Sequence, residues 1–326
     1  MMSYPKITFE LRVTFEPSQK TAAATKRRFM EWLAAHGVDE FVEGVMDGLD
    51  IDHEYTGTNE RDFYAELGGE LLPVSVYKYS RDLLEDLKFK IERDFPLGVH
   101  VEIHNMETSE WLEGWKESFK PIETSLFYIF PPWDSQKKHK NKIPIVIEPG
   151  MAFGTGQHAT TQVVIHALEA MISKNKDFQN WRCMDVGTGT GILALAALKM
   201  GFKTVAGSDI DPDAVTAAIN NAKLNHIELP VWQGSCPVNG VQGRSEFKPP
   251  FDLVIANILF VVLKKIIPDL ARITKSEGLL ILSGLLIEDS TEMKSLAEGL
   301  GLSLVGQSEL EGWSCMTFQK TRQSRG

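Results

Sequence analysis

Residues 7–15 read I-T-F-E-L-R-V-T-F, apolar and polar in alternation, the pattern of a strand that buries one face. Ser18 or Thr21 is placed to cap a helix running to about Ala35, with Phe29, Met30 and Leu33 on one face and Gly37 as its stop. Residues 41–49 suggest a second strand. After a polar stretch around 56–59, the runs 63–67 and 72–79 read as further strand pieces. Residues 81–95 carry a good helical pattern closed by Pro96 and Gly98, and 99–106 alternate again.

That order approximates βαββαβ, which predicts a small α+β domain of ferredoxin-like type with an elaborated middle. No catalytic cluster stands out in it, so by elimination it is a recognition or interaction domain. Residues 108–119 look like a capped helix with Trp111, Trp115 and Phe119 at i, i+4 and i+8, a stripe suited to packing between domains. The polar, basic segment 131–142 reads as an exposed loop.

From residue 143 the pattern becomes βαβ-like. Strands are expected at 145–147, 183–186, 204–209, 231–234, 251–256 and 278–283, with helices at 160–173, from the glycine turn to 198, 213–225, 261–274 and 290–299. Residues 302–308 and 313–320 look like a closing antiparallel hairpin, an ending that suits a methyltransferase sheet and not a dehydrogenase sheet.

The chemistry concentrates where these strands end. The run M-D-V-G-T-G-T-G-I-L-A-L-A-A-L begins at Met184, so an apolar strand stops in Gly187, Gly189 and Gly191 and a helix follows at once. The next strand ends in D-I-D-P from Asp209. A strand, a tight turn that brings backbone amides near a ligand, a helix and a carboxylate placed for a ribose make an adenosine-cofactor site. Two cofactors fit the turn. Gly189 to Ala194 satisfies G-x-G-x-x-A, with Asp209 at the right distance for NAD. The spacing D-x-G-x-G-x-G, with Asp185 ahead of the first glycine, instead suits S-adenosylmethionine, because a carboxylate there favours a cationic sulfonium amino acid and repels a pyrophosphate. The plainest alternative is that the glycines only permit a sharp turn.

Two further segments bear on the choice. E-P-G-M-A-F-G-T-G-Q-H-A-T-T, residues 148–161, is a loop able to fold over a ligand, entering a helix with Thr160 and Thr161 in its first turn. Hydroxyls and amides there can bind the carboxylate of a methionine moiety. His158 has no second ligand at metal spacing and reads as a hydrogen-bonding loop residue. In F-D-L-V-I-A-N-I-L-F, Asn257 sits where a buried strand emerges at the carboxyl edge of the sheet. Methyl transfer to nitrogen needs an uncharged amine held by carbonyl acceptors in line with the methyl, and an Asn followed by apolar residues supplies this. The alternative is that Asn257 only ends a strand and caps the next helix.

At 326 residues the chain can hold two ordinary domains. Its longest apolar run, 278–287, is too short to span a bilayer, and its first residues lack a secretory pattern. Cys183, Cys236 and Cys315 are scattered and odd in number, pointing to a reducing compartment, a cytoplasmic location and no structural zinc. A net charge of −10 argues against direct nucleic-acid binding and suits a basic partner, although mild acidity also simply keeps a protein soluble.

These motifs, in this order, resemble the ribosomal protein L-eleven methyltransferase (PrmA-type) family. E-W-L-E-G-W-K-E-S-F-K-P-I at 110–122 is similar to that family's interdomain region, and E-G-W-S-C-M-T to its terminal strand. The likeness covers most of 109–320, whereas the first hundred residues match mainly in layout. It implies a methyltransferase for protein lysine and N-terminal amines, with a small domain that docks the ribosomal protein and a mobile linker. By motif, Thr161, Gly187, Asp209 and Asn257 would line the site, Asp209 taking the ribose hydroxyls and Asn257 lying beside the transferred methyl. Departures are G-T-G-T-G for the family's G-C-G-S-G, Q-H-A-T-T for T-H-P-T-T, and N-I-L-F for N-I-L-A. In the last, Phe260 is placed to narrow the acceptor channel.

The expected fold is therefore α/β, a seven-stranded class I methyltransferase (Rossmann-like) domain at 146–320 preceded by the ferredoxin-like domain at 1–108, with an interdomain helix and linker at 109–145 and a tail at 321–326. Asn257 is the expected catalytic residue, and Thr161, Asp185, Gly187, Gly189, Gly191, Asp209 and Asn257 the cofactor-binding set, with no metal. The expected reaction is methyl transfer from S-adenosylmethionine to amines of ribosomal protein L-eleven by a monomer. The alternatives are a lysine methyltransferase acting on another protein and an NAD(P)-dependent oxidoreductase.

Overall fold

A computed structural model describes residues 7–15, 22–36, 38, 42–43, 73–78, 80–107, 121–134, 139, 141–148, 154, 156–172, 180–239 and 247–322. The strand piece expected at 63–67, all of the strand expected at 41–49 except 42–43, the helix at 108–119 and the stretch 149–153 lie outside these. The chain divides into two compact units, Met1–Phe119 and Lys120–Gly326.

The first unit contains β1 (Ile7–Phe15), α1 (Ala22–Ala35), β2 (Val42–Glu43), β3 (Val74–Lys78), α2 (Arg81–Asp94) and β4 (Val99–Glu107). Its antiparallel sheet has the order β2-β3-β1-β4, that of the ferredoxin-like fold the alternation suggested. Period-two alternation sends Leu11, Val13 and Phe15 of β1 into a core with Phe29 and Leu33 of α1 and with Leu84 and Ile91 of α2. The opposite face of β1 carries Glu10, buried yet satisfied: Arg12 donates to both its oxygens, and the Ser75 and Tyr77 hydroxyls donate to Oε1 over 2.7 and 3.1 Å. A buried charge is tolerable only with such a set of donors.

The second unit opens with β5 (Ile122–Glu123), β6 (Phe127–Phe130) and β7 (Ile143–Val146) in a small sheet of order β5-β6-β7. Strand β6 had no counterpart in the sequence reading. Its continuous apolar run F-Y-I-F is buried throughout, so it shows no alternation. The expected loop at 131–142 is anchored where it is described: the Tyr128 hydroxyl donates to Asp134, His139 stacks on the Tyr128 ring, and Lys142 Nζ donates to the Thr124 and Ser125 carbonyls.

Then come α3 (Ala159–Ile172), β8 (Arg182–Val186), α4 (Ile192–Lys199), β9 (Thr204–Asp209), α5 (Pro212–Leu224), β10 (Val231–Gln233), β11 (Phe251–Asn257), α6 (Phe260–Ile273), β12 (Thr274–Leu286), α7 (Ser290–Gly299), β13 (Leu302–Leu310) and β14 (Trp313–Lys320). The seven-stranded sheet has the order β10-β9-β8-β11-β12-β14-β13. Its neighbours from β10 to β12 run parallel, and β14 lies antiparallel between β12 and β13, as the closing hairpin suggested. Strand order reverses between β8 and β11, so the crevice beyond the carboxyl ends of β8, β9 and β11 is the switch point at which open α/β sheets bind ligands. Strands β8 and β11 are apolar because helices cover both faces of the sheet, and α4, its first six residues all buried, is apolar all round for the same reason.

Candidate active site

Strand β8 delivers the glycine turn. The amides of Gly187 and Thr188 donate to the Ser208 carbonyl over 2.8 and 3.0 Å, and the Gly191 amide donates to Thr188 over 2.8 Å. These bonds pin the turn to the end of β9 and start α4 at Gly191, whose carbonyl accepts from Leu195. Gly187 has φ +71°, and a Cβ there would stand 2.7 Å from the Ile258 side chain. On the other side of Ile258, Gly284 has φ +86°, and a Cβ there would overlap the Ile258 carbonyl oxygen. Two glycines thus make the slot for the residue that follows Asn257.

Asp209 closes β9 at the mouth of this turn. Oδ2 accepts from the Gly189 amide over 2.9 Å and Oδ1 from the Asp211 amide over 3.0 Å. Burial raises its carboxyl above the usual range, against the Gly189 and Asp211 amides that pull it down. Asp185 is placed differently. It is fully enclosed behind the turn, where it accepts from the Thr188 hydroxyl over 2.7 Å while Oδ1 has no partner. Burial pushes its carboxyl up to about 7, opposed by the Thr188 hydroxyl and the Ala194 amide.

The upstream glycine segment seats on the downstream one, for the Thr190 hydroxyl donates to the Gly154 carbonyl. It then runs into α3, where the His158 carbonyl accepts from the Thr161 and Gln162 amides. His158 Nδ1 accepts from the Thr160 amide over 3.3 Å and lies 2.8 Å from its hydroxyl, the loop role expected for it. Thr160 and Thr161 are buried at the helix start.

Strand β11 ends in Asn257 beside them. Its Nδ2 stands 3.4 Å from the hydroxyls of both Thr160 and Thr161, and its buried Oδ1 has no hydrogen-bond partner. A buried carbonyl oxygen without a donor is costly, and at a strand end in a sheet crevice it is ready to accept a ligand's N–H. The structure thus brings the three glycines, Asp209, Thr161 and Asn257 to one edge of the sheet and puts Asp185 behind them. Among the described residues no group of three or more His, Cys, Asp or Glu is placed to hold a metal ion.

The sequence reading missed three residues that assemble this edge. Thr190, between two of the glycines, was given no role. Asn221 of α5 and Asn225, which caps its C-terminal end, were not singled out, yet both are buried and bond to chain 31 to 79 residues away. Their one signal was an i, i+4 pair of Asn in an alanine-rich helix.

A sheet of this order, with a strand-end acid beyond a glycine turn and an Asn on the neighbouring strand, defines a class I S-adenosylmethionine-dependent methyltransferase. Residues 47–321 match the model of the ribosomal protein L11 methyltransferase (PrmA) family, and the chain belongs to that family. It is 36% identical over 222 residues to a ribosomal protein L11 methyltransferase of Caldicellulosiruptor saccharolyticus, covering 68% of this chain and 69% of that one. With the protein of the same name from Lactococcus lactis subsp. cremoris it shares 30% over 302 residues, 87% of this chain and 92% of that one. The crystal structure of ribosomal protein L11 methylase from Lactobacillus delbrueckii subsp. bulgaricus superposes with a TM-score of 0.54 at 28% identity, covering 63% of this chain and 100% of that chain.

Proposed function

We propose that this protein transfers methyl groups from S-adenosylmethionine to amine nitrogens, on lysine side chains or the N-terminus, of ribosomal protein L11. The observation that carries this reading is the buried, unpartnered Oδ1 of Asn257, at a strand end beside the glycine turn. The cofactor supplies a methyl group activated on a sulfonium sulfur.

The chain's own residues do the rest. Gly187, Gly189 and Gly191 let backbone approach the nucleoside, and Asp209 takes the ribose hydroxyls on lone pairs that its two backbone donors leave free. Thr161, at the N-terminal end of α3, holds the carboxylate end of the methionine moiety with help from the helix dipole. Asp185 supports the turn from behind through Thr188. Asn257 accepts a hydrogen of the neutral substrate amine and so aims its lone pair, which is catalysis by positioning. An uncharged carbonyl suits this task because it leaves the amine unprotonated.

The ferredoxin-like domain, residues 1–108, is the substrate-recognition part, and the unit Lys120–Gly326 carries the methyltransferase sheet. The net charge of −10 steers a basic ribosomal protein to it in a salt-dependent way. The enzyme works as a cytoplasmic monomer without binding nucleic acid. Three free cysteines support a reducing setting. The test is incubation with labelled S-adenosylmethionine and ribosomal proteins that lack methylation, followed by mass spectrometry. Label on lysine or N-terminal nitrogen of L11 is expected. Label only on another protein overturns the substrate, and label on no amine overturns the reaction.

A further inference from the structure

Asn221, near the end of α5, and Asn225, which caps that end, stand four residues apart and grip chain far away in sequence. Asn225 acts as a neighbouring strand would: Oδ1 accepts from the Val146 amide over 2.9 Å, and Nδ2 donates to the Val146 carbonyl over 2.6 Å. Asn221 reaches two ways. Its Oδ1 accepts from the Glu148 amide over 2.9 Å, and its Nδ2 donates to the Thr190 carbonyl over 2.9 Å. Glu148 begins the upstream glycine segment, and Thr190 stands between Gly189 and Gly191 in the turn.

The side chain of Asn221 is enclosed, 1% exposed, so water cannot replace either bond. The same helix starts just beyond Asp209, with the Asp211 side chain capping it through the Asp213 amide over 2.8 Å. Helix α5 is therefore a common reference for the acid, the turn and the upstream segment.

We propose that Asn221 is a positioning residue for cofactor binding, its one buried amide holding the two glycine segments in register. This rests on the reading that both segments line the cofactor site. Asn221→Ala leaves the Glu148 amide and the Thr190 carbonyl unpaired at once, so that the Thr190 hydroxyl on the Gly154 carbonyl has to hold the turn to the upstream segment without it. Loss of Asn225 releases only the β7 end, since the Thr190 contact belongs to Asn221.

The test compares full-length wild type, Asn221→Ala and Asn225→Ala by calorimetry with S-adenosylhomocysteine, steady-state kinetics, thermal unfolding and hydrogen exchange. Asn221→Ser serves in place of Asn221→Ala where the latter does not fold. The expected result is a Kd for S-adenosylhomocysteine, and a KM for S-adenosylmethionine, raised about tenfold in Asn221→Ala, with kcat at saturating cofactor changed by less than about threefold. Asn225→Ala is expected to lower the unfolding temperature similarly while changing Kd less than about threefold. A Kd within about twofold of wild type in Asn221→Ala, or equal weakening in both variants, overturns the proposal. Should S-adenosylhomocysteine fail to slow exchange at residues 187–191 of the wild type, the underlying reading of the turn falls, and this inference falls with it.

Discussion

The Gly189 amide donates to Asp209 over 2.9 Å, so the middle glycine of the turn and the acid at the end of the next strand form one unit. Each carboxylate oxygen of Asp209 holds one backbone donor and keeps lone pairs for a ligand. Asp209→Ala should weaken S-adenosylhomocysteine binding by about 1.5–3 kcal/mol, roughly tenfold to a hundredfold. Asp209→Asn, which still accepts at one oxygen, should lose less. Calorimetry measures both, and unchanged affinity in Asp209→Ala removes this residue from the ribose role.

Gly187 and Gly284 flank Ile258 but oppose different atoms of it. At Gly187 the obstacle is the Ile258 side chain, its Cδ1 and Cγ1 each 2.7 Å from a built Cβ; at Gly284 it is backbone. Gly187→Ala should cost about 1–3 kcal/mol in urea unfolding and recover part of it when Ile258→Val is added. Gly284→Ala should cost more and recover nothing from that second change. Equal rescue in both would show that the slot is not built this way.

Asp185 should leave a signature in the pH dependence of stability. Its folded pKa, raised to about 7 by burial, lies above the ordinary aspartate value of 3.8. Between those values the folded protein keeps a proton that the unfolded chain has lost, so this group lowers stability as pH rises, by at most about 1.4 kcal/mol per unit, and levels off above about 7. Asp185→Asn still accepts from Thr188 and lacks the slope. The gap in unfolding free energy between Asp185→Asn and wild type should therefore widen from pH 5 to 7. A gap independent of pH contradicts the enclosed carboxylate.

Glu169 of α3 locks the turn ahead of β6. It accepts from the Thr124 and Ser125 hydroxyls and, over 2.8 Å, from the Leu126 amide. These donors hold its carboxyl below the usual range although burial pushes it up. Glu169→Ala strands several buried donors and should destabilise the protein by about 2–4 kcal/mol, with Glu169→Gln losing less. Denaturant midpoints decide this, and a surface-like loss of under about 0.5 kcal/mol would refute the lock.

What could be read from residues alone follows physical lines. The glycines were legible because a turn with positive φ demands them, and Asn257 because a polar residue ending an apolar strand has few other reasons to be there. The ferredoxin-like layout of the first unit was legible from the succession of strand and helix patterns between 7 and 106. Strand β6 was not legible, since burial on both faces erases alternation. Asn221 and Asn225 were not legible either, because a polar residue on a helix reads as exposed until the chain that packs on it is known. Asp185 was expected among the cofactor-binding residues, and its enclosure behind the turn was not legible, because it depends on Thr188 and Ala194 closing over it.

The central claim is that the Asn257 carbonyl orients the acceptor amine, and single-turnover methyl transfer to L11 by Asn257→Ala at saturating cofactor tests it most directly. The account predicts a rate lowered about 100- to 1000-fold, the scale on which a preorganised polar group acts, with the Kd for S-adenosylhomocysteine changed less than about fivefold. A transfer rate within about threefold of wild type would contradict it.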